Sequence, residues 1–319
     1  KKKFLLDDIK SSSHKKFTNN EKVPLSGGLI FVILFLIFIE QDYILKFFLI
    51  GIFIIGFFSD TKIINSPLIR FLSQTILIVS FIIIGNVYVY HTNLYILDLL
   101  LSNYFFSLVF TSLCFLILIN GINFLDGLNS LVLAYNLMVI TSLIILISYF
   151  NLNFDFGILY NILIILIVIL IFNIFNKNFI GDSGAYVISF VTGVTLINFY
   201  NLNNNSMSSL FIVIMLWYPA IEILFSIIRK LFYGNDPLKP DNLHLHQLLY
   251  KFLKTKFDTN FLSNIFAAIF INFYNLMIFV ISLFFIKETN ILFLLIITNI
   301  ICYVMVYFIL KGKNKKITK

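Results

Sequence analysis

Long apolar runs alternate with short polar breaks along almost the whole chain. A helix that crosses a bilayer needs about 20 apolar residues, within a common range of about 17–25. By this measure the sequence predicts ten spans, which cover residues 24–40, 43–58, 71–90, 104–119, 131–149, 158–175, 184–200, 207–228, 261–286 and 291–310. The pattern predicts an all-α, polytopic integral membrane helical bundle, with residues 1–319 forming a single membrane domain.

Composition and charge agree with a membrane protein and give it an orientation. The chain is 60% hydrophobic and 12% charged, whereas a soluble domain has roughly 45–50% and 25%. Of its 23 Lys and Arg residues, all but Lys46 and Lys287 fall on one side of the predicted topology. Cytoplasmic loops carry this excess, so we expect both termini and these loops in the cytoplasm. The net charge of +8 then reflects orientation, and we expect no nucleic-acid partner.

Four polar stretches share this predicted cytoplasmic face, within loops at about 56–70, 120–130, 176–186 and 229–260. They are "GFFSDTK" (56–62), "NGINFLDGLNS" (120–130), "GDSGAY" (181–186) and "PDNLHLHQLL" (240–249). Asp60, Asp126 and Asp182 stand at span ends in the first three, and none has a basic residue at helical spacing. A carboxylate beside hydrocarbon is costly and indicates function. Three on one face favour a divalent cation, and Mg²⁺ is the oxygen-seeking candidate.

The stretch at 120–130 carries a polar residue at every third position: Asn120, Asn123, Asp126 and Asn129. Successive members are rotated by about 60° on an α-helix, so only neighbours share a face. With two glycines in the same stretch, we expect a bent pocket rather than a smooth helix face. Asparagine acting as a link between membrane helices is the alternative.

The other stretches each allow two interpretations. Asp182 lies between glycines ahead of an apolar helix, where its small neighbours would let backbone amides at the helix N-terminus face an anion. Ordinary turn and N-cap chemistry is the alternative. His244 and His246 suit phosphate or ribose donors better than zinc ligands, because nothing nearby completes a zinc site. Residues 245–253 then predict an amphipathic interfacial helix, with a plain basic loop as the alternative. Arg70 would contact a phosphate or reach the membrane interface, and Glu222 requires a partner that the sequence does not identify.

These stretches, in this order, resemble the polyprenyl-phosphate N-acetylhexosaminyl-1-phosphate transferase family. "PLSGGLIF" (24–31) is similar to its early Gly-Gly motif, "GFFSD" to Gly-x-x-Asp-Asp, and "NGINFLDGLNS" to Asn-x-x-Asn-Phe-x-Asp-Gly-x-Asp-Gly. "GDSGAYVISF" resembles its Gly-Asp-x-Gly segment and "PDNLHLHQLL" its His-x-His-His loop. Members have about eleven spans, so the resemblance implies a further helix before Lys1.

The resemblance implies an enzyme of the bacterial inner membrane, with its active site on the cytoplasmic face. It would transfer a sugar-1-phosphate from a UDP-N-acetylhexosamine to undecaprenyl phosphate among the membrane lipids, release UMP, and initiate lipid-linked polysaccharide synthesis. The implied residues are Asp60 and Asp126 as catalytic groups, Asn123, Asp126 and Asp182 as Mg²⁺ ligands, and His244, His246, Arg70 and Asn120 as substrate-binding groups. A homodimer is a further partner that the sequence leaves open.

The chain departs from the family pattern at three positions, where Ser59 and Asn129 each replace an Asp and Gln247 replaces a His. A lipid phosphate has a second pKa near 6 and is mostly a dianion at pH 7, so it hardly needs a general base. Phosphoryl transfer then depends on positioning and charge neutralisation, which Asp126 and Asp182 would serve. An inactive, binding-only relative is the alternative, and a secondary transporter is a weaker one.

Overall fold

Helices make up most of the chain that the structure describes. The computed structural model describes residues 23–39, 42–237, 239 and 241–317, and no strand forms in this part. Its helices are α1 (Gly27–Phe38), α2 (Tyr43–Asp60), α3 (Pro67–Gly85), α4 (Tyr95–Leu101), α5 (Tyr104–Leu125), α6 (Leu131–Phe150), α7 (Phe156–Ile174), α8 (Gly181–Asn203), α9 (Ser209–Phe232), α10 (Leu245–Leu253), α11 (Asn260–Phe284) and α12 (Thr289–Ile317). The N-terminal lysines that entered the orientation argument lie outside the described residues.

The predicted multi-pass helical fold is confirmed, because each of the ten predicted spans coincides with a helix. In the described part, nine helices are long and apolar enough to cross a membrane: α2, α3, α5, α6, α7, α8, α9, α11 and α12. Helix α1 is apolar but has 12 residues, or about 18 Å, so it does not span a core of about 30 Å alone. Helix α10 forms where the amphipathic pattern predicts it, and the short α4 was not predicted.

The prediction of a bent pocket at 120–130 is wrong for residues 120–125, because α5 continues as a regular helix to Leu125. Asn120 stays helical because its amide donates to the Leu116 carbonyl at 2.9 Å and to Gln74 Oε1 of α3 at 3.0 Å. Only the segment after Leu125 is irregular. The Asn120 side chain therefore finds its hydrogen-bond partners within a regular helix, and no break in α5 is needed.

Helices α5 and α9 approach each other backbone to backbone. A Cβ atom at Gly121 would lie 2.4 Å from the carbonyl oxygen of Pro219. A proline inside a helix leaves the carbonyl four residues earlier without its amide donor, and here the Tyr135 hydroxyl donates to that carbonyl, of Met215, at 2.9 Å. The break in α9 is thus satisfied by α6, as a membrane interior requires.

Helix α8 lies in the centre of the bundle and is largely buried. Helices α1 and α2 press directly on its first turn: a Cβ at Gly56 would lie 2.4 Å from Ser183 Cα, and one at Gly28 would lie 2.5 Å from the Gly184 nitrogen. Such contact is open only to glycine. The start of α8 is therefore held against the end of α2.

The polar stretches meet at one end of the bundle, which we call the site end. Beyond the contact between α2 and α8, the backbone amide of Ser130 donates to Asn173 Oδ1 at 2.7 Å, and that of Asn129 donates to Asn264 Oδ1 at 2.9 Å. These bonds join the segment after α5 to the end of α7 and the start of α11. The helix directions thus gather the loops as the predicted topology requires.

Candidate functional site

One half of the site is built around Asp182 in the first turn of α8. Arg70 Nη1, from α3, lies 3.0 Å from Asp182 Oδ2 and 2.8 Å from Ser59 Oγ, and the Ser59 hydroxyl also donates to Asp182. The Arg70 and Asp182 side chains are 26% and 28% exposed. The sequence offered Asp182 no basic partner at helical spacing, because its partner comes from another helix. We call Ser59, Asp60, Arg70, Asp182 and Ser183 the arginine cluster.

Asp60 caps the helix that carries Asp182. Its carboxylate accepts the backbone amides of Asp182 at 2.9 Å and Ser183 at 3.0 Å, and the Ser183 hydroxyl at 2.7 Å. A carboxylate at a helix N-terminus satisfies free amides and the positive end of the helix dipole. Gly181 supplies the turn at φ +69°, and a Cβ there would lie 2.8 Å from Asp60 Oδ2. Asp60 therefore fixes where Asp182 lies.

Helix α3 joins this cluster to the stretch at the end of α5. Gln74, one turn after Arg70, is fully buried and accepts the Asn120 amide. Further along α5, Asn123 and Asp126 are partly exposed, and the Asp126 amide donates to the Asn123 carbonyl at 3.3 Å, which ends the helix. Helix α3 thus contacts Asn120 of the α5 stretch and Asp182 of α8 through side chains one turn apart.

Asn129, one of the departures from the family pattern, links two loops. Its side-chain amide donates to Asn176 Oδ1 in the segment that leads to α8, and its backbone amide bonds to Asn264. The side chain is buried. An asparagine serves here because it can donate, which an ionised aspartate cannot.

The three predicted carboxylates are not brought together as one group in the part of the chain that the structure describes. Within the described ranges, no group of three or more His, Cys, Asp and Glu side chains is arranged to hold a metal ion, and Asp60 is turned to the start of α8. Asn123, Asp126 and Asp182 remain the predicted Mg²⁺ ligands. Their chemistry fits, because Mg²⁺ is commonly held by one or two carboxylates together with substrate phosphates.

The other half of the site is built around Glu222, which lies inside α9 and is 1% exposed. Oε2 lies 3.2 Å from His244 Nδ1, and Oε1 accepts the Leu245 amide and the Tyr218 hydroxyl, both at 3.2 Å. His246 Nδ1 is 3.9 Å from Oε1. These contacts identify the partner of Glu222, which the sequence did not reveal.

The two imidazoles pack behind the α5 stretch. The rings of His244 and Phe124 lie 4.9 Å apart between centroids, and a Cβ at Gly127 would lie 2.7 Å from His246 Nε2. Both histidines are buried, His246 completely. Burial lowers the pKa of the His246 imidazole and outweighs the opposing effect of Glu222, so this ring is neutral at pH 7. In this arrangement the histidines support the stretch rather than meet solvent.

An ion pair closes the loop that precedes α10. Arg229 Nη2 donates to Asp241 Oδ2 at 2.7 Å, and Asp241 Oδ1 lies 3.7 Å from His244 Nε2. Burial alone would raise the pKa of Asp241, but the bond from Arg229 and the nearby His244 lower it overall. Gln247, the third departure, accepts the His244 amide at 3.3 Å and so caps α10. We call Glu222, Arg229, Asp241, His244 and His246 the histidine cluster.

An apolar groove of about 280 Å³ runs along the bundle from beneath the site. It starts beside Ile117 and Leu118, one turn before Asn120, and beside Leu224, two residues after Glu222. It continues between α5, α8 and α9 to Ser209 at the opposite end. Its walls are almost entirely hydrocarbon, so it suits an apolar chain.

Comparison with known proteins agrees with the geometry. The family model described as glycosyl transferase family 4 matches residues 43–200. This range includes the arginine cluster and the α5 stretch but ends before the histidine cluster. No curated protein matches the chain. The family consists of membrane enzymes that transfer a sugar phosphate to polyprenyl phosphate. Over residues 43–200, which are just under half of its length, the chain is similar to glycosyl transferase family 4.

Proposed function

We propose that the protein transfers N-acetylhexosamine-1-phosphate from a UDP-sugar to undecaprenyl phosphate and releases UMP, at the cytoplasmic face of a bacterial inner membrane. The observation that carries the proposal is the position of Asp126, directly after α5, and of Asp182, in the first turn of α8, at the same end of a bundle whose residues 43–200 match this family. The product would be the first intermediate of a lipid-linked polysaccharide.

The residues present suit a reaction between two anions. An oxygen of the lipid phosphate attacks the phosphorus that bears the sugar, and the bond from that phosphorus to the UMP oxygen breaks. Since the attacking phosphate is already a dianion, the protein needs to hold and neutralise charge rather than remove a proton. Arg70 is the cation at the site end nearest to Asp182, and its planar guanidinium matches phosphate geometry.

A divalent cation completes the charge balance. Asn123, Asp126 and Asp182 would hold Mg²⁺, which when bound neutralises the diphosphate and polarises its oxygens. Asp60 contributes by fixing the first turn of α8, and so the Asp182 carboxylate, in place. Asp60 thus has a positioning role here, in place of the catalytic role that the resemblance implies.

The apolar groove supports a polyprenyl acceptor. It starts within one helical turn of Asn120 and passes through the spanning part of the bundle. An isoprenoid chain along it would leave its phosphate at the site end, where a water-soluble nucleotide sugar can meet it.

The test is UMP release by purified protein with undecaprenyl phosphate, Mg²⁺ and a panel of UDP-sugars. Asp126→Asn and Asp182→Asn are expected to lower kcat by at least about 100-fold, as for loss of a group that stabilises transition-state charge. Asp258→Asn, an exposed carboxylate before α11, is the matched control and should leave the rate unchanged.

Release of UMP that requires lipid, metal and both carboxylates would support the transferase and name its sugar. Binding of a UDP-sugar with no UMP release from any donor would overturn it in favour of a binding-only relative.

A further inference from the structure

Glu222 is a buried carboxylate inside a spanning helix, and the proposed reaction does not use it directly. Its side chain is 1% exposed. Burying an ion costs several kcal/mol unless partners compensate, so a carboxylate retained at this depth needs an explanation. Its contacts supply one.

The contacts of Glu222 decide where the imidazole protons lie. An ionised carboxylate can only accept hydrogen bonds, so His244 Nδ1, at 3.2 Å, must carry a hydrogen. His246 Nδ1 lies 3.9 Å from Glu222 Oε1, which is too long for a hydrogen bond, but the negative carboxylate still attracts an N–H on that nitrogen more than a lone pair. Carboxylates commonly set the tautomer and orientation of histidines in this way.

With both Nδ1 atoms turned to Glu222, the Nε2 atoms point away from it. His244 Nε2 faces Asp241 at 3.7 Å. His246 Nε2 faces Gly127, where a Cβ would lie only 2.7 Å away. Gly127 directly follows Asp126, so Glu222 aims an imidazole nitrogen at the stretch that carries the proposed chemistry.

Neither ring nitrogen of His246 has a hydrogen-bond partner among the described residues, and its side chain is completely buried. Leaving a buried polar atom unpaired costs about 1–3 kcal/mol, and such an atom requires a reason. A partner gained when substrate binds to the α5 stretch would provide it.

We propose that Glu222 is a positioning residue for the transfer reaction, which holds His244 and His246 so that His246 Nε2 is presented to the stretch at Gly127. The inference rests on the proposed transferase function for its kinetic consequence, but the ring orientation itself is independent of any activity.

The first test is the histidine side-chain ¹⁵N spectrum of the full chain in detergent. His14→Gln and His91→Gln remove the other two histidines, so that only His244 and His246 remain. The expected spectrum has a protonated Nδ1 and a bare Nε2 on His246. In Glu222→Gln, which keeps the size but loses the charge, this preference should be lost. A wild-type spectrum with the proton on Nε2 would overturn the proposal.

The second test separates kcat from KM in Glu222→Gln. We expect kcat to fall by about 10- to 100-fold, as for loss of a residue that orients a functional histidine. The KM for the UDP-sugar should change by no more than about threefold, because no contact with the ground state is removed. Glu222→Asp, which keeps the charge but is one methylene shorter, should lie between wild type and Glu222→Gln in both kcat and spectrum.

Two controls bracket these results. Glu288→Gln removes an exposed carboxylate at the opposite end of the bundle and should change neither readout. Tyr218→Phe removes one hydrogen bond to Glu222 but keeps the carboxylate, so the spectrum should be retained. Unchanged kcat in Glu222→Gln, or a loss of kcat with the wild-type ¹⁵N spectrum, would contradict the positioning role.

The two proposals can fail separately. If the wild-type protein releases no UMP, the transferase proposal falls while the spectra still decide the ring orientation. If UMP is released and the spectra of wild type and Glu222→Gln agree, only the positioning role falls.

Discussion

The arginine and histidine clusters lie at the same end of the bundle but differ in how they hold charge. In the arginine cluster, Arg70 and Asp182 are each about a quarter exposed, and their bonds could be exchanged for bonds to a ligand. In the histidine cluster, Glu222, His244 and His246 are buried, and Glu222 bonds to His244, Tyr218 and the Leu245 amide inside the protein. The difference indicates that the arginine cluster is available to bind substrate, whereas the histidine cluster stabilises the structure of the site.

The two clusters should also differ in how much each ion pair contributes to the free energy of unfolding. A partly exposed ion pair contributes about 0–1 kcal/mol to stability because water competes for both groups. Removing one partner of a buried pair costs about 3–5 kcal/mol because the other charge is left uncompensated. Substitutions can therefore test whether the two clusters differ as their burial indicates.

The largest effect on stability is expected for Glu222→Leu. It should lower the free energy of unfolding by about 3–5 kcal/mol, whereas Arg70→Leu should lower it by about 1 kcal/mol or less. Chemical unfolding of both variants in the same detergent measures the difference. Equal losses would show that burial does not distinguish the clusters.

Gly181→Ala tests the cap at the start of α8. A residue with a side chain at positive φ costs about 1–2 kcal/mol, and the contact with Asp60 should add about 1–3 kcal/mol. Gly234 also has positive φ, at +65°, but has open space around it, so Gly234→Ala measures the backbone cost alone. If the two variants lose the same stability, the fit of Asp60 against Gly181 is not critical.

Gly127→Ala tests the contact between the histidine cluster and the α5 stretch. The added methyl would press on His246 Nε2 and cost about 1–3 kcal/mol through overpacking, and UMP release should fall because the stretch and the ring can no longer keep their places. Gly312→Ala, which meets no atom within 4 Å, is the control in both unfolding and UMP assays. A fully active Gly127→Ala would argue against the contact.

Ser59→Ala should have the smallest effect. It removes the hydroxyl that links Asp182 and Arg70, worth about 0.5–1.5 kcal/mol, while the ion pair between them remains. We expect UMP release to fall by no more than about tenfold, the rate equivalent of 1.4 kcal/mol. A loss as large as that of Asp182→Asn would show that Ser59 has taken over an essential role from the aspartate it replaces.

The helical membrane fold, and the end of the bundle at which the polar stretches lie, could be predicted from the amino-acid sequence alone. Apolar runs of about 20 residues have few alternatives to spanning helices, so the nine long helices could be located from their pattern. The predicted number of crossings then indicated which loops lie at the same end of the bundle. The family motifs pointed to Asp126 and Asp182 for the same reason: a carboxylate beside hydrocarbon is too costly to be incidental.

The hydrogen-bond partner of each polar side chain, by contrast, could be identified from the three-dimensional structure and not from the sequence. Three pairs join residues of different helices: Asp60 with Ser183, Arg70 with Asp182, and Glu222 with His244. The spacing of these residues along the chain does not predict that they bond. The tertiary structure also kept Asn120 helical, through Gln74, where the local pattern predicted a bend. Hydrophobic periodicity reports which residues avoid water, whereas hydrogen-bond partners depend on which helix faces meet, and that is set by packing at positions such as Gly28, Gly56 and Gly121.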